Sequence, residues 1–441
     1  MSEKKKRPIF PLLLVTFIDS LGLSIVLPFL VFLVTKFGGN ALLYGLLGAV
    51  YPAFQLIGAP LLGKWSDIYG RKKVLLLCEI GTTIGWGIFL LAFFLPLKIL
   101  IDTDIPLLGK VIITLPLLIL FFGRAIAGLT GGNISVANAY VSDVTDDKDL
   151  NKSFGKMSIS SNLGFIAGPA LAGVLGTTSV GEILPVIAAL LISLAAIFVI
   201  LFFLDESKPL SFKENPEKDS IQKVLGYNNK ECFEPGSESR VSQKATLKNV
   251  LSIKYIPYFL FLNFFIFLGF NFFYTAFPVH VVQKLGWSIT EMGVFFALLS
   301  LMMVIVQGPV LSFASKKFSN SMLILFGCIV LGTSFILLLS ADMTVLYIAA
   351  GCFAFGNGLM WPSFLSLLSK TAGKKTQGMV QGFASSSGSL ASIVGLIAGG
   401  LLYTSFGAST FLISAFVIYC SALLSIRLFS IEKQQRRESE R

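Results

Sequence analysis

Long apolar segments alternate with short polar segments along almost the whole sequence. A membrane-spanning helix needs about 20 mostly apolar residues, and six segments meet this requirement on each side of a polar stretch at 205–254. The predicted spans lie at 9–34, 43–63, 74–96, 112–137, 157–177, 183–204, 255–281, 289–314, 322–340, 343–368, 378–404 and 408–429. This pattern predicts an all-α polytopic membrane protein with twelve transmembrane helices.

The two groups of six spans are similar to each other, which indicates an internal repeat. The connection at 63–72 is echoed at 308–317, with a glycine first and two basic residues last in both. We therefore predict an N-terminal six-helix bundle at 1–204, a cytoplasmic linker at 205–254, and a C-terminal six-helix bundle with a short tail at 255–441. The linker is rich in Lys, Glu, Ser and Asn, which is typical of a flexible connection. Repeats of six spans with a site between them near the bilayer midplane are typical of transporters.

Composition and charge agree with a membrane location. Only 13% of the residues are charged and the mean hydropathy is +0.80, whereas soluble domains carry about 25% charged residues. Lys and Arg cluster in alternate connections, for example at 4–7 and 71–73. The other connections hold four lysines, Lys36, Lys98, Lys110 and Lys284. Because basic residues accumulate on the cytoplasmic side, both termini are predicted to be cytoplasmic. The net charge of +11 reflects this asymmetry, so the predicted partner is a lipid bilayer and not a nucleic acid.

Side chains that serve enzymes or metal sites are scarce. The chain has one His and five Cys without paired or metal-ligand spacing, so neither a metal site nor a cofactor is predicted. No nucleophile, metal or phosphate-binding constellation is present, which argues against an enzyme. The predicted outer connections contain no Asn-x-Ser/Thr, in keeping with a bacterial inner membrane. A monomer is expected because one chain supplies both halves of the predicted cavity.

Three charged residues, Asp19, Glu79 and Arg124, lie well inside predicted spans, away from the span ends. Asp19 is about ten residues into span 1, about 15 Å deep and so near the midplane. An acid there is costly and indicates a function by default, and Asp19 is our candidate for loading and releasing a proton. Arg124, midway along span 4, stays charged and needs a partner, either Asp19 or an incoming acidic or polar substrate. Glu79, about two turns into span 3, is either a second proton or cation site or a partner for a basic residue at the cytoplasmic edge.

The connection between spans 2 and 3 contains the pattern Gly63-x3-Asp67-x2-Gly70-Arg71-Lys72. Gly63 and Gly70 permit a tight turn and close helix approach, and Asp67 can pair with Arg71 or cap a helix. Asp143 ends span 4 on the same side and can pair with the basic cluster. Because these residues lie at the membrane edge, we expect a gating or structural role and not substrate binding.

Span 5 contains Gly164, Gly168, Pro169 and Gly173. Proline removes a backbone hydrogen bond and bends the helix, and the glycines let a neighbouring helix approach. The two interpretations are simple tight packing and a gating bend at Gly168 and Pro169 that helps to set how a cavity opens.

Further polar or aromatic residues deep in the spans are candidates for a substrate-binding cavity. They are Gln55, Asn133, Asn138, Asn162, Asn271, Tyr274, Gln307, Asn357, Trp361 and Gln381. Such side chains also bond neighbouring helices to each other in membranes, so each has two interpretations. His280 lies near the outer end of span 7, where an interfacial role is expected. The sequence Ser288-Ile-Thr-Glu291 predicts a capping box that opens span 8.

These motifs resemble the major facilitator superfamily and, within it, the tetracycline-efflux branch of the twelve-span drug:proton antiporters. The pattern at 63–72 resembles the superfamily's signature between spans 2 and 3. Phe17–Pro28 resembles span 1 of the branch, and Gly123–Gly131 with Ala139–Thr145 resembles its span 4 and exit. Gly168–Gly173 resembles the antiporter signature of span 5. The resemblance implies the major facilitator fold, with two pseudo-symmetric six-helix bundles.

The resemblance also implies roles for five residues. Asp19 and Arg124 would belong to proton coupling, Asp67 and Arg71 to cytoplasmic gating, and Gln55 to the substrate path.

One departure from the branch concerns span 3. The branch has an acidic residue midway along this span, where this chain has Gly85, and Glu79 lies six residues earlier. This departure argues against tetracycline itself as the substrate, but it affects the expectation of antiport less, since Asp19 remains. We therefore predict a transporter that exports a small lipophilic, cationic or zwitterionic compound in exchange for protons. The alternatives are a metabolite symporter or facilitator of the same fold, and a membrane receptor or scaffold that does not transport.

Overall fold

The computed structural model describes residues 9–26, 30–105, 109–145, 150–176, 178, 181–207 and 251–439. Most of the predicted linker and the basic N-terminal residues lie outside the described residues. The first half contains α1 (Phe10–Val26), α2 (Leu30–Lys36), α3 (Ala41–Tyr69), α4 (Arg71–Ala92), β1 (Ile99–Ile105), β2 (Gly109–Thr114), α5 (Leu115–Leu129), α6 (Asn133–Val144), α7 (Leu150–Gly176) and α8 (Ile183–Phe203). Predicted span 4 corresponds to α5 and α6, which are separated by three residues at 130–132.

The second half begins after the linker. It contains α9 (Ile256–Leu285), α10 (Ile289–Ile305), a π-helical turn (Val306–Val310), α11 (Leu311–Lys317), α12 (Asn320–Leu337), α13 (Met343–Phe406), a 3₁₀ turn (Gly407–Ser409), α14 (Thr410–Ser425) and α15 (Arg427–Ser439). The predicted capping box at the start of α10 is confirmed, because the side chains of Ser288 and Glu291 each bond the other's backbone N–H.

Eleven helical stretches in the described part of the chain are long and apolar enough to cross a membrane. The last of these, Gly382–Gln435, is 54 residues long, far more than the roughly 20 residues that one crossing needs. It contains both of the last two predicted spans. Residues 369–377, which lie between the spans predicted at 343–368 and 378–404, continue the helical backbone of α13.

Helix α13 nevertheless cannot be a straight rod. Phe364 and Phe259 of α9 have ring centroids 5.8 Å apart, and the Ala384 carbonyl accepts a 2.8 Å hydrogen bond from Asn263 Nδ2 of α9. A straight helix from 364 to 384 would span about 30 Å, whereas the two contact points on α9 are one turn apart. The chain therefore folds back between them, and α13 supplies two antiparallel segments, as the spans predicted at 343–368 and 378–404 require.

A two-stranded hairpin, which the sequence pattern did not predict, joins α4 to α5. Strands β1 and β2 are antiparallel, with Asp102 opposite Ile112 and Thr103 opposite Val111. Residues 112–114, predicted to begin span 4, instead belong to β2. The cause is local chemistry, because isoleucine, valine and threonine favour extended backbone, and Pro116 then stands in the first turn of α5, where it suits a helix start.

The two halves contact each other at the end of the bundle that the sequence predicts to be external. A Cβ added to Gly293 of α10 would lie 2.0 Å from the Cα of Gly173 of α7. A Cβ added to Gly45 of α3 would lie 2.2 Å from the carbonyl oxygen of Leu396 of α13. Such close backbone contacts exist only because these positions lack side chains.

The other glycines of α7 bring this helix close to α1. A Cβ at Gly164 would lie 2.5 Å from the Phe17 carbonyl oxygen, and one at Gly168 would lie 2.0 Å from Ser24 Oγ. The Ser24 hydroxyl donates a 3.1 Å hydrogen bond to the Gly164 carbonyl across this contact. The expectation that these glycines admit a neighbouring helix is confirmed.

Phenylalanine rings fill the core of the second half. Phe273 stacks on Phe277 and Phe335 with centroids 5.3 and 5.1 Å apart, and it also contacts Phe353 at 5.1 Å. Aromatic pairs at these distances add stabilisation beyond area burial. Ring packing is therefore prominent in the core of the second half, whereas the interior of the first half also holds the polar cluster described below.

We predict that Gly173→Leu destabilises the contact between the halves. The new side chain would overlap the backbone of α10, and overpacking typically costs about 1–3 kcal/mol. Thermal unfolding of the purified protein in detergent should show a lower Tm. The matched control is Gly87→Leu on α4, because a Cβ at Gly87 meets nothing within 4 Å. An equal Tm for both variants would contradict the contact.

Candidate functional site

Inside the first half, the side-chain amide of one asparagine bridges two acidic side chains. The Asn133 Nδ2 group donates to Asp19 Oδ2 at 2.5 Å and to Glu79 Oε1 at 2.8 Å. Asp19 comes from α1, Glu79 from α4, and Asn133 is the first residue of α6. The sequence predicted each of these residues as a candidate, but not that an asparagine would bridge the two acids.

The break between α5 and α6 positions Asn133. Gly132 lies against Leu62 of α3 so closely that a Cβ there would be 2.8 Å from the leucine side chain. Gln55 Nε2 donates a 2.8 Å hydrogen bond to the Gly131 carbonyl, which the interrupted helix leaves without a helical partner. Gln55 thus stabilises the non-helical segment between α5 and α6. It also lines the cavity that contains Asp19.

Arg124 lies in the same cavity but does not pair with either acid. Its side chain is 3% exposed, and within the described residues it has neither an ion pair nor a hydrogen bond to its Nε. Its guanidinium carbon instead faces the rings of Phe89 and Tyr51, at 5.6 and 6.0 Å from their centroids. Of the two partners considered for Arg124, Asp19 is not paired with it in this structure; Asp19 Oδ2 instead accepts a hydrogen bond from Asn133.

Sequence reasoning missed the two rings beside Arg124. Tyr51 precedes Gln55 by one helical turn, so it shares a face of α3 with that predicted cavity residue. Phe89 lies on α4 together with Glu79. A search for aromatic residues one turn from each candidate would have found Tyr51, but Phe89 carries no such signal.

A second cavity lies between the two halves. It has a volume of about 170 Å³, against about 70 Å³ for the cavity of Asp19 and Arg124. No charged residue lines it in the described part of the chain, and Phe165 of α7 lines both cavities. Its aromatic lining consists of Tyr44, Phe165, Phe270, Phe273, Tyr274, Phe296 and Phe353. Four of the residues predicted to bind substrate line it: Asn162, Tyr274, Gln307 and Asn357.

The sequence matches the model of the Major Facilitator Superfamily over residues 12–307 and 259–441. The chain belongs to this superfamily. It is therefore a multi-pass membrane protein of the major facilitator fold, in a family of small-molecule transporters.

Individual relatives of the superfamily are distant in sequence but similar over their whole length. The chain is 27% identical over 407 residues to the tetracycline resistance protein, class E, of Escherichia coli, covering 90% of this chain and 88% of that protein. It is 26% identical over 445 residues to multidrug resistance protein 2 of Bacillus subtilis (strain 168), covering 99% and 98%. The crystal structure of a D-xylose–proton symporter superposes with a TM-score of 0.70 at 14% identity, covering 94% of this chain and 96% of that one. At this identity the superposition shows the shared fold alone.

The remaining residues predicted to bind substrate lie elsewhere. Asn271 bonds the Phe267 carbonyl at 2.7 Å and Ser392 Oγ at 3.1 Å, which joins α9 to α13. Trp361 stacks on Phe364, and neither Trp361 nor Asn138 lines the two cavities described above. The side chain of Gln381 is outside the described residues.

The histidine predicted at the interface lies inside the bundle. His280 is buried, and its Nδ1 is 3.1 Å from the Tyr403 hydroxyl of α13. Its ring also meets the edge of Phe411 with centroids 5.4 Å apart. These contacts satisfy the ring within the second half.

The superfamily's signature loop forms a polar cluster at the predicted cytoplasmic end. Arg71 Nε is 2.9 Å from Asp143 Oδ2, and Arg71 Nη1 donates to Ser66 Oγ at 2.5 Å. The Ser66 hydroxyl in turn donates to the Gly63 carbonyl at 2.7 Å. The predicted pairing of Asp143 with the basic cluster is thus present, whereas the side chain of Asp67 is outside the described residues.

Glu206, just after α8, closes the same cluster from the other side. It accepts hydrogen bonds from the backbone N–H groups of Arg71 at 2.7 Å and Lys72 at 3.2 Å, and so caps the start of α4. Gly70 makes room for it: φ is +99° there, and a Cβ would lie 2.5 Å from the carboxylate. The second half repeats the arrangement, since Glu432 of α15 accepts from the N–H groups of Asn320 and Ser321 at the start of α12.

We predict that Glu206→Ala lowers the free energy of unfolding by about 1–2 kcal/mol, because it removes a charged cap from the α4 N-terminus. Unfolding by SDS in mixed micelles measures the change. The control is Glu182→Ala, which breaks an exposed 2.7 Å ion pair with Lys36 and should cost less than about 1 kcal/mol. A larger loss for the control would refute the cap's contribution.

Proposed function

We propose that the protein is a secondary active transporter that exports small lipophilic, cationic or zwitterionic compounds in exchange for protons. The observation that carries the proposal is the Asp19–Asn133–Glu79 cluster inside the first half. Two carboxyl groups inside a membrane bundle that are bridged by one neutral amide cannot both be charged without a counterion. The pair therefore suits the reversible binding of one proton.

Competition between proton and substrate would couple the two movements. A cationic group that approaches the carboxyl pair supplies the missing positive charge and replaces the proton. A proton arriving from the outside reverses this exchange and releases the substrate. Since Phe165 lines both cavities, a compound bound between the halves can reach the carboxyl pair without crossing a whole helix.

The packing of the halves supports an alternating-access cycle. The Gly173–Gly293 and Gly45–Leu396 contacts close the end that is predicted to be external. In the proposed cycle this arrangement is the inward-facing state, and the halves rock about the central cavity to reach the outward-facing state. Arg71, Asp143 and Glu206 would then control the cytoplasmic end, with both termini on the inner side of a bacterial membrane.

Residues of the central cavity would bind the body of the substrate. Asn162, Gln307 and Asn357 offer hydrogen-bonding amides, and the surrounding rings suit a lipophilic or aromatic compound. The full-length similarity to tetracycline and multidrug resistance proteins favours a drug-like compound over a sugar or nucleoside. We expect a monomer to suffice.

We predict that Asp19→Asn abolishes proton-driven export. Inverted membrane vesicles with an acidic interior are offered a panel of lipophilic cations, tetracyclines and dyes, and uptake is followed by fluorescence. The wild-type protein should accumulate at least one compound, and accumulation should disappear in the variant because its amide cannot exchange a proton at this position. The control is Asp102→Asn on the exposed hairpin.

The outcomes separate the alternatives. Uptake by Asp19→Asn equal to that of the wild type would remove Asp19 from coupling. Uptake driven by the opposite gradient would indicate a symporter, and gradient-independent equilibration would indicate a facilitator. Substrate binding to the purified protein that releases no protons would refute the exchange scheme itself.

A further inference from the structure

Arg124 is a buried cation without an anionic partner in the described part of the chain. It is 3% exposed, it forms no ion pair there, and its Nε has no hydrogen bond. The two acids that line the same cavity are engaged by Asn133. The cavity therefore holds an acidic cluster on one side and an unmatched guanidinium on the other.

An unmatched guanidinium in a membrane bundle is expensive. Arginine keeps its charge in proteins and presents five N–H donors in a planar fork that fits a carboxylate. The rings of Tyr51 and Phe89 offset part of the cost, but they accept no N–H bond in the guanidinium plane. The missing partner is thus an anionic group, and the cavity is where it would enter.

From this geometry we infer that the exported compound is a zwitterion whose acidic group binds Arg124. The inference rests on the function proposed above and names its substrate class. The cationic group of the same compound replaces the proton on the Asp19–Glu79 pair, and its aromatic body extends past Phe165 into the central cavity. Both charges of the substrate are then matched by opposite charges of the protein, which a purely cationic compound would not achieve.

The test compares acids with their esters in equilibrium binding to the purified full-length protein in detergent. The probes are rhodamine B with its ethyl ester, and norfloxacin with its ethyl ester, since each ester keeps the cationic group and loses the acid. A charge-assisted bidentate contact predicts that the wild-type protein binds each acid about 10- to 100-fold more tightly than its ester. Arg124→Met should bind acid and ester within about threefold of each other, and Arg124→Lys should keep part of the preference.

The control is Arg427→Met. Arg427 also faces a tyrosine ring, that of Tyr258 at 5.1 Å, but it lies on α15 outside both cavities. It should keep the wild-type preference for the acids. Arg124→Lys controls for misfolding of Arg124→Met, because it retains a cation at the site.

Several results would overturn the inference. The first is an equal preference for acid over ester in the wild type and in Arg124→Met. The second is no preference for the acid in the wild type. The third is no binding of either pair of probes. A free inorganic anion as the partner of Arg124 would also overturn it; acids would then bind no better than esters, and replacing chloride by sulfate at constant ionic strength would change both affinities alike. Asp19→Asn should weaken the binding of acid and ester by a similar factor, because both keep the cationic group, so the ratio of their affinities should stay close to that of the wild type. Loss of proton coupling is therefore distinguishable from loss of the acid site.

Discussion

The need to satisfy charge inside a membrane bundle governs the first half of this protein. Lipid offers no water and no counterions, so every charged side chain must find its partner within the protein or in a ligand. Asn133 partly meets this need by donating to both Asp19 and Glu79. The break between α5 and α6, the glycines beside it and the bond from Gln55 all serve to bring this one amide to the two acids. Within the described part of the chain Arg124 has no anionic partner, and Glu79 Oε2 also lacks a hydrogen-bond partner.

The two halves have different interiors, although both contain the same arrangement of six spans. The interior of the first half combines an apolar core with a cluster of charged and amide side chains, whereas stacked rings around Phe273 fill the core of the second half. The repeat is visible at the edge that the sequence predicts to be cytoplasmic, where Glu206 and Glu432 cap the starts of α4 and α12. The repeated scaffold thus holds the interior charged residues in its first half and a mainly apolar core in its second half.

Much of the fold followed from the sequence, because span length and hydropathy are local properties. The hairpin of β1 and β2 was missed since apolar β-branched residues at a membrane edge read equally well as the start of a span. Asp19, Glu79 and Arg124 were found because an isolated charge in an apolar run is conspicuous. Their partners were not predictable, since the Asn133 bridge and the rings of Tyr51 and Phe89 depend on the register between helices. For Trp361 and Asn271 the sequence left two interpretations open, because a deep polar or aromatic residue can either join helices or line a cavity.

The contact between Gly173 and Gly293 has a kinetic consequence. Two helices that touch through bare backbone have no interlocking side chains to withdraw before they move relative to each other. Because no side chains interlock at this contact, one half can roll over the other there with few changes of side-chain rotamer.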